Sequence, residues 1–183
     1  SGHPSRRAWL HVQVRSGRNV VFDSGGYDRN GRLLGVQDEL RQGHFTLVTR
    51  PDQVVVYELV AEDSEGEPTT HLTRMSKRFK DTRLLPKGWR RDGPNAEATA
   101  PVGIGNDLDF TAGGDTVSFA IPLAKDAPAV TVAAWVRFQT IPPHWVDALR
   151  SVDAEECRSF VAMYDAAAKT PELVGVAQRS EDR

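Results

Sequence analysis

The sequence predicts a mainly β fold: an antiparallel β-sandwich, immunoglobulin-like or jelly-roll-like, with one or two helices near the carboxyl end. Apolar and polar residues alternate close to the amino terminus, β-branched and aromatic runs recur along the chain, and the strongest helical pattern comes after residue 142. The chain has 183 residues, 39% of them hydrophobic. That length supports one core, so we expect residues 1–183 to form a single domain.

The first two strands are predicted to form a hairpin. Apolar and polar side chains alternate over residues 8–15, residues 16–19 have turn chemistry, and residues 20–22 provide the returning strand. A second turn is expected at residues 27–31, because Asn30 and Gly31 tolerate positive φ angles.

Further strands are predicted from runs of β-branched and aromatic residues at 45–48, 54–60, 116–121 and 130–141. The run at 54–60 gives the strongest strand prediction. Residues 69–79 place Leu72, Met75 and Phe79 on one side of a helix, which predicts a short helix there. Residues 90–101 have no period and are predicted to be irregular.

A helical segment is predicted over about residues 142–169. Pro143 suits a first helical turn, and Asp153 with Glu156 resembles a capping box before an apolar stripe. The short tail at 170–183 contains an apolar stretch that can add to a sheet edge, and its residues from Ser180 onwards are expected to fray.

Composition excludes several classes of function. The net charge of −2 and pI of about 6.2 give no overall field for nucleic acid. No apolar run approaches the roughly 20 residues that cross a bilayer, and the first residues contain no apolar signal segment, so no membrane insertion is expected. Cys157 is the only cysteine. It excludes an internal disulfide, a cysteine-based zinc cage and the Cys-x-x-Cys-His attachment of c-type haem.

No catalytic motif is present. The five histidines lack zinc-binding spacing, and no nucleophile elbow or dinucleotide-binding loop lies between a predicted strand and helix. We therefore predict no catalytic residue and no enzymatic activity.

One loop, residues 105–115, gathers oxygen-bearing side chains that are typical calcium ligands. They are Asn106, Asp107, Asp109 and Asp115. The pattern predicts a calcium site, although it lacks the order of an EF-hand and aspartates also cap turns by themselves.

A stiff basic and aromatic segment spans residues 79–89, where Pro86 fixes one φ angle and Gly88 permits an unusual one. With the basic residues near the amino terminus, it predicts a surface for a protein partner. The candidate interface residues are Arg6, Arg7, Trp9, Arg83, Lys87 and Trp89. The alternative is an internal brace in which Arg83 pairs with a buried acid such as Glu58.

Several segments taken together resemble the haem-free carboxy-terminal β-rich domain of periplasmic or extracellular multihaem c-type cytochromes. The segments that carry the resemblance are residues 4–12, 21–25, 54–58, 80–89, 107–117 and 138–143. The most specific is the pattern Lys-Asp-x-Arg-x-x-Pro-Lys-Gly at residues 80–88. In that family a strand and a further histidine precede a Gly-His stretch that corresponds to Gly2 and His3, so the first strand is expected to be missing here and to leave an exposed sheet edge.

The resemblance implies a non-catalytic accessory or interaction domain of an electron-transfer protein, located in the bacterial periplasm or outside the cell. It implies that haem belongs to the parent protein or to a partner, namely a multihaem cytochrome domain or subunit. The residues leave an alternative open: a calcium-stabilised module that binds a ligand or carbohydrate. That module would need Trp9, Trp89, Trp135 and Trp145 to be exposed and coplanar.

Overall fold

The computed structural model describes residues 3–181 and confirms a mainly β, mostly antiparallel architecture. The strands are β1 (Arg7–Ser16), β2 (Asn19–Ser24), β3 (Leu47–Val48), β4 (Val56–Tyr57), β5 (Leu59–Glu62), β6 (Pro68–Thr69), β7 (Lys77–Asp81), β8 (Ser118–Phe119), β9 (Val130–Gln139) and β10 (Glu172–Glu181). The helices are α1 (Ala96–Thr99), α2 (Pro143–Arg150) and α3 (Glu155–Ala166). No helix in this described part of the chain is both long and apolar enough to span a membrane.

The largest sheet is built around β1. Its strand order is β10-β9-β1-β2, and β4 also pairs with β1. β1 and β9 are antiparallel along their whole length, from Arg7 opposite Gln139 to Ser16 opposite Val130. The predicted hairpin of β1 and β2 is confirmed, as is the long strand predicted from residue 130.

The apolar run at 54–60 does not form one strand. Val56–Tyr57 pairs with β1, whereas Leu59–Glu62 pairs with β6 and β7 in a separate three-stranded sheet. The break lies at Glu58, whose buried side chain forms an ion pair with Lys80 of β7. The chain therefore changes sheets at a buried charge, a feature that strand propensity does not encode.

The prediction of a helix over residues 69–79 is wrong. Those residues contain the last residue of β6, a 3-10 turn at Leu72–Arg74 and most of β7. Leu72 is 56% exposed, so it does not anchor a buried helical face. β7 forms backbone hydrogen bonds with β5, whereas a short helix in this segment would be weakened by its threonines, which have low helix propensity.

Two other segments in the middle of the chain contain little regular secondary structure. The strand predicted over 116–121 shortens to Ser118–Phe119, which pairs in parallel with Leu47–Val48. The segment predicted to be irregular, 90–101, contains only the short helix α1 among its elements.

The carboxyl-terminal region confirms the predicted helical segment and extends the sheet. The segment divides into α2 and α3, separated by residues 151–154. The tail then forms β10, which pairs with β9 as far as Glu181 opposite Val130. The predicted fraying is therefore wrong for Ser180 and Glu181, and residues 182–183 lie outside the described residues.

The core consists of two apolar clusters that share β4 and the residues just before it. Val55 and Tyr57 belong to one cluster, whereas Val54 and Val56 belong to the other, which also contains Trp9. Successive residues of an extended segment point to opposite sides. This short segment therefore joins the two halves of the core.

A buried arginine ties the largest sheet to the loop that follows β2. Arg7 is 1% exposed, and its Nη1 lies 2.6 Å from Oε2 of Glu39. Its Nε donates to Oε1 of Gln139 at 2.9 Å, and its Nη2 donates to the carbonyl of Gly31 at 3.2 Å. The guanidinium fork thus has partners on β9 and at both ends of the segment 31–39.

These contacts change the titration of Glu39. Burial alone raises the pKa of Glu39, but the hydrogen bond with His144, the charge of Arg7 and the backbone N–H of Leu33 outweigh it. The pKa of Glu39 therefore falls from 4.5 to about 2. Because the folded-state pKa is the lower one, ionised Glu39 stabilises the fold above its unfolded pKa, and this stabilisation is lost as the pH falls through the folded pKa.

The substitution Glu39→Gln is expected to lower the free energy of unfolding by about 3 kcal/mol at about pH 7, because Arg7 stays buried without its counter-ion. On acidification to about pH 2 the wild type should lose a similar amount more than the variant loses, so their stabilities converge. Urea denaturation at several pH values measures both. Glu67→Gln is the control, since it removes only the exposed pair with Arg41 and should cost about 0–1 kcal/mol. A gap that does not depend on pH would contradict this account of Glu39.

Candidate functional site

Asp107 has a buried carboxylate that both shapes its own loop and holds a histidine. Its Oδ1 accepts hydrogen bonds from the backbone N–H groups of Asp109 and Phe110, each at 3.1 Å. Its Oδ2 lies 2.7 Å from Nε2 of His44. Burial opposes ionisation, but these hydrogen bonds outweigh it, and the pKa of Asp107 lies below its ordinary value.

Asp115 lies at the other end of the same loop. Its Oδ2 accepts a hydrogen bond from the Tyr57 hydroxyl at 2.8 Å, whereas its Oδ1 is buried and has no hydrogen-bond partner among the described residues. Burial raises the pKa of Asp115, and the negative charge of Asp107 adds to this effect. Tyr57 and His44 oppose the rise without cancelling it.

These side chains form a cluster of three groups that can ligate a metal, which we call the His44 cluster: His44, Asp107 and Asp115. One donor atom from each residue lies within 4.8 Å of the others. The side chain of His44 is 1% exposed and that of Asp107 is 2% exposed. Nδ1 of His44 is also buried without a hydrogen-bond partner in the described part of the chain.

The structure brings together only part of the predicted calcium set. Asp107 and Asp115 meet, whereas Asp109 lies outside the His44 cluster and its Oδ1 accepts a hydrogen bond from the backbone N–H of Thr116 at 3.3 Å. Asn106 is exposed and lines a groove beside Trp89. Calcium binding remains a prediction.

Sequence reasoning missed His44, the nitrogen ligand of this cluster. The residue is 63 positions away from Asp107, and no local spacing motif connects the two. The strand run at 54–60 also gave no sign that Tyr57 would orient Asp115, because tyrosine is common in strands for its packing alone.

Lys80 fixes the loop that carries His44. Its ammonium is buried and lies 2.7 Å from Oε1 of Glu58, and it donates to the carbonyl of Gln42 at 2.8 Å. Gln42 is two residues before His44. The predicted brace from Arg83 to Glu58 is therefore wrong in its partner: Lys80 pairs with Glu58, and Arg83 pairs with Asp81 at 2.6 Å.

The predicted partner surface near the amino terminus needs correction. Arg7 and Trp9 are buried, and the indole N–H of Trp9 donates to the carbonyl of Gly25 at 2.8 Å. Both side chains stabilise the fold and are not available to a partner, whereas Arg6 is exposed.

The other half of the predicted surface is accessible. Lys87 is exposed and Arg83 is 25% exposed, although Arg83 is engaged with Asp81. Trp89 is half-buried, and its indole N–H donates to Oγ1 of Thr99 at 2.8 Å. A role of these three residues in partner binding remains a prediction.

The tryptophans do not provide the exposed set that a sugar-binding surface needs. Trp9 is buried, and Trp89, Trp135 and Trp145 are each half-buried. The ring of Trp135 packs against that of His11, with centroids 4.8 Å apart. The carbohydrate-binding hypothesis therefore has no support from tryptophan exposure.

The most exposed apolar surface of the sheet is on its last strand, β10, which we call the β10 edge. β10 pairs with β9 on one side, and no strand of the described chain pairs with its other side. Leu173, Val174 and Val176 are 54%, 65% and 64% exposed. A bulge between Leu173 and Gly175 interrupts the register.

Comparison with known proteins does not assign this chain to a family. No protein-family model matches the sequence, and no curated protein matches it. A similar solved structure is the penta-haem cytochrome c552 of Thermochromatium tepidum, with a TM-score of 0.47 and 14% sequence identity. The match covers 99% of this chain and 32% of that one, so this chain spans about a third of that protein.

The substitution Lys80→Met is expected to destabilise the protein by about 3–5 kcal/mol, because it leaves the carboxylate of Glu58 buried without a counter-ion. Lys125→Met is the control, because Lys125 is exposed, so its replacement should change the free energy of unfolding by less than about 0.5 kcal/mol. Chemical denaturation measures both differences, and equal effects of the two substitutions would contradict the role given to Lys80.

Proposed function

We propose that this chain is a haem-free, non-catalytic interaction domain of a multihaem c-type cytochrome or of its assembly, acting in the bacterial periplasm or outside the cell. The observation that carries the proposal is the β10 edge, a ten-residue strand that is exposed along nearly all its length. Such an edge offers both backbone hydrogen-bonding groups and apolar side chains to another polypeptide.

The exposed side chains favour contact with protein at this edge. Leu173, Val174 and Val176 lie close together in sequence, and each keeps more than half of its surface in water. Burying apolar surface stabilises a complex by about 25 cal/mol per Å² before the costs of association are subtracted.

The sequence resemblance supports a multihaem cytochrome as the partner. The segment at residues 80–89 carries the most specific part of the resemblance to multihaem cytochromes, and the structure shows it packed against the sheet through Lys80 and Thr82. Thr82 donates to the carbonyl of Val56 at 2.8 Å. Cys157 is the only cysteine, so a c-type haem in the assembly must be attached to other residues.

The lack of catalytic machinery in the sequence supports a binding role over an enzymatic one. No nucleophile, general base and orienting group can be named together in the sequence. The exposed parts of the predicted basic surface, Arg6 and Lys87, are further candidates for contact with the cytochrome.

The double substitution Val174→Lys with Val176→Lys is expected to abolish binding to the cytochrome, because two ammonium groups would have to be buried at the interface. Tagged protein is incubated with the periplasmic fraction of the native organism. Captured proteins are then separated on a denaturing gel and stained for haem peroxidase activity, which detects covalently held haem. Wild-type protein should retain a haem-stained band that the double variant loses.

Leu108→Lys provides the control, because Leu108 is 88% exposed and lies outside the β10 edge. This variant should bind as the wild type does. Circular dichroism should show all three proteins folded, since the substituted side chains are already in solvent. Failure of the wild type to capture any haem-stained protein, or equal capture by the double variant, would contradict the proposed function.

A further inference from the structure

We propose that the His44 cluster is a binding site for a divalent transition-metal ion such as Zn²⁺, with one ring nitrogen of His44 and one oxygen each from Asp107 and Asp115 as ligands. The three donor atoms lie within 4.8 Å of one another. This inference does not depend on the proposed function, because it concerns a buried cluster and not the β10 edge.

An unsatisfied buried oxygen points to a ligand. Nδ1 of His44 and Oδ1 of Asp115 are buried, and neither has a hydrogen-bond partner among residues 3–181. Buried polar atoms in native proteins almost always have partners, because removing them from water without one is costly. Of the two, Oδ1 of Asp115 is the atom that a ligand at the three-residue cluster would satisfy. For one ion to bind Asp107 as well, it has to take Nε2 of His44, the ring nitrogen that lies 2.7 Å from Oδ2 of Asp107, while Nδ1 carries the proton of the neutral imidazole. Oδ1 of Asp115 carries the unused lone pairs that such a cation accepts when the carboxyl is ionised.

The ligand chemistry favours a transition metal over calcium. Calcium takes six to eight oxygen ligands, whereas this cluster offers an imidazole nitrogen and few oxygens. Oδ1 of Asp107 already accepts two backbone N–H groups. Zinc is satisfied by four nitrogen or oxygen ligands, and a water molecule can complete the set of three. Two ionised carboxylates also balance the charge of a divalent ion.

The surrounding residues hold the three side chains as outer contacts do in metal sites. The Tyr57 hydroxyl donates to Oδ2 of Asp115, and the backbone N–H groups of Asp109 and Phe110 donate to Asp107. The ring of Phe110 packs edge-on against that of His44, with centroids 5.5 Å apart. Because His44 and Asp107 are almost fully buried, a bound ion would connect the loop that carries His44 to the loop at residues 105–115 and so stabilise the fold.

The test uses the whole chain after treatment with a chelator. Zinc chloride is titrated into the protein by isothermal calorimetry, and thermal melting is followed with zinc, with calcium and with chelator. Wild-type protein should bind one Zn²⁺ per chain, and zinc should raise its melting midpoint. The substitutions His44→Gln and Asp115→Asn should each lower zinc affinity by at least about tenfold.

Matched controls use the same residue types outside the cluster. Asp92→Asn and His71→Gln should leave zinc affinity within about twofold of the wild type, because Asp92 is exposed in a pair with Arg90 outside the cluster and His71 is in a different segment. Circular dichroism of the metal-free variants checks folding, and if His44→Gln does not fold, Asp115→Asn decides the matter alone. Absence of zinc binding by the wild type, or unchanged binding by both cluster variants, would overturn the proposal. Binding of calcium that depends on Asp109 and not on His44 would also overturn it.

Discussion

The ion pair between the buried ammonium group of Lys80 and Glu58 is the interaction on which the arrangement of the other elements depends most. The ammonium group pairs with Glu58, where the chain leaves the largest sheet and enters the three-stranded one, and it binds the carbonyl of Gln42 in the loop that leads to His44. A buried charge is tolerated only with its partners in place, so both positions are fixed together. Tyr57, next to Glu58, then orients Asp115. The geometry of the His44 cluster is thus a consequence of how one cation is satisfied in the core.

Local sequence patterns predicted the parts of the fold that local physics determines. The hairpin of β1 and β2 follows from alternation, β9 from a run of β-branched and aromatic residues, and the region of α2 and α3 from helical periodicity. The break at Glu58 could not be predicted in this way, because the partner that stabilises it is 22 residues away. β10 escaped a full prediction because an exposed edge strand lacks a buried, alternating face.

The candidate site shows the same limit. Asp107 and Asp115 were predicted as ligands from the composition of one loop, but His44 joins them only through tertiary structure. The basic and aromatic residues near the amino terminus were predicted to face a partner, yet Arg7 and Trp9 are buried. An arginine whose guanidinium finds a carboxylate, an amide and a carbonyl can lie in a core, and sequence alone does not tell such a residue from a surface one. What the structure adds is therefore the pairing of distant polar groups.

Two separate features carry the two proposals: the exposed apolar edge at β10, and the buried cluster of one histidine and two aspartates. Both follow from a fold that buries its charges in pairs and leaves β10 at the edge of the sheet. Anomalous X-ray diffraction at the zinc absorption edge, from crystals grown with zinc, tests the ligand cluster most directly. The account predicts an anomalous peak bonded to His44, Asp107 and Asp115. A map with no peak there, in which His44 and Asp107 still contact each other directly, would contradict it.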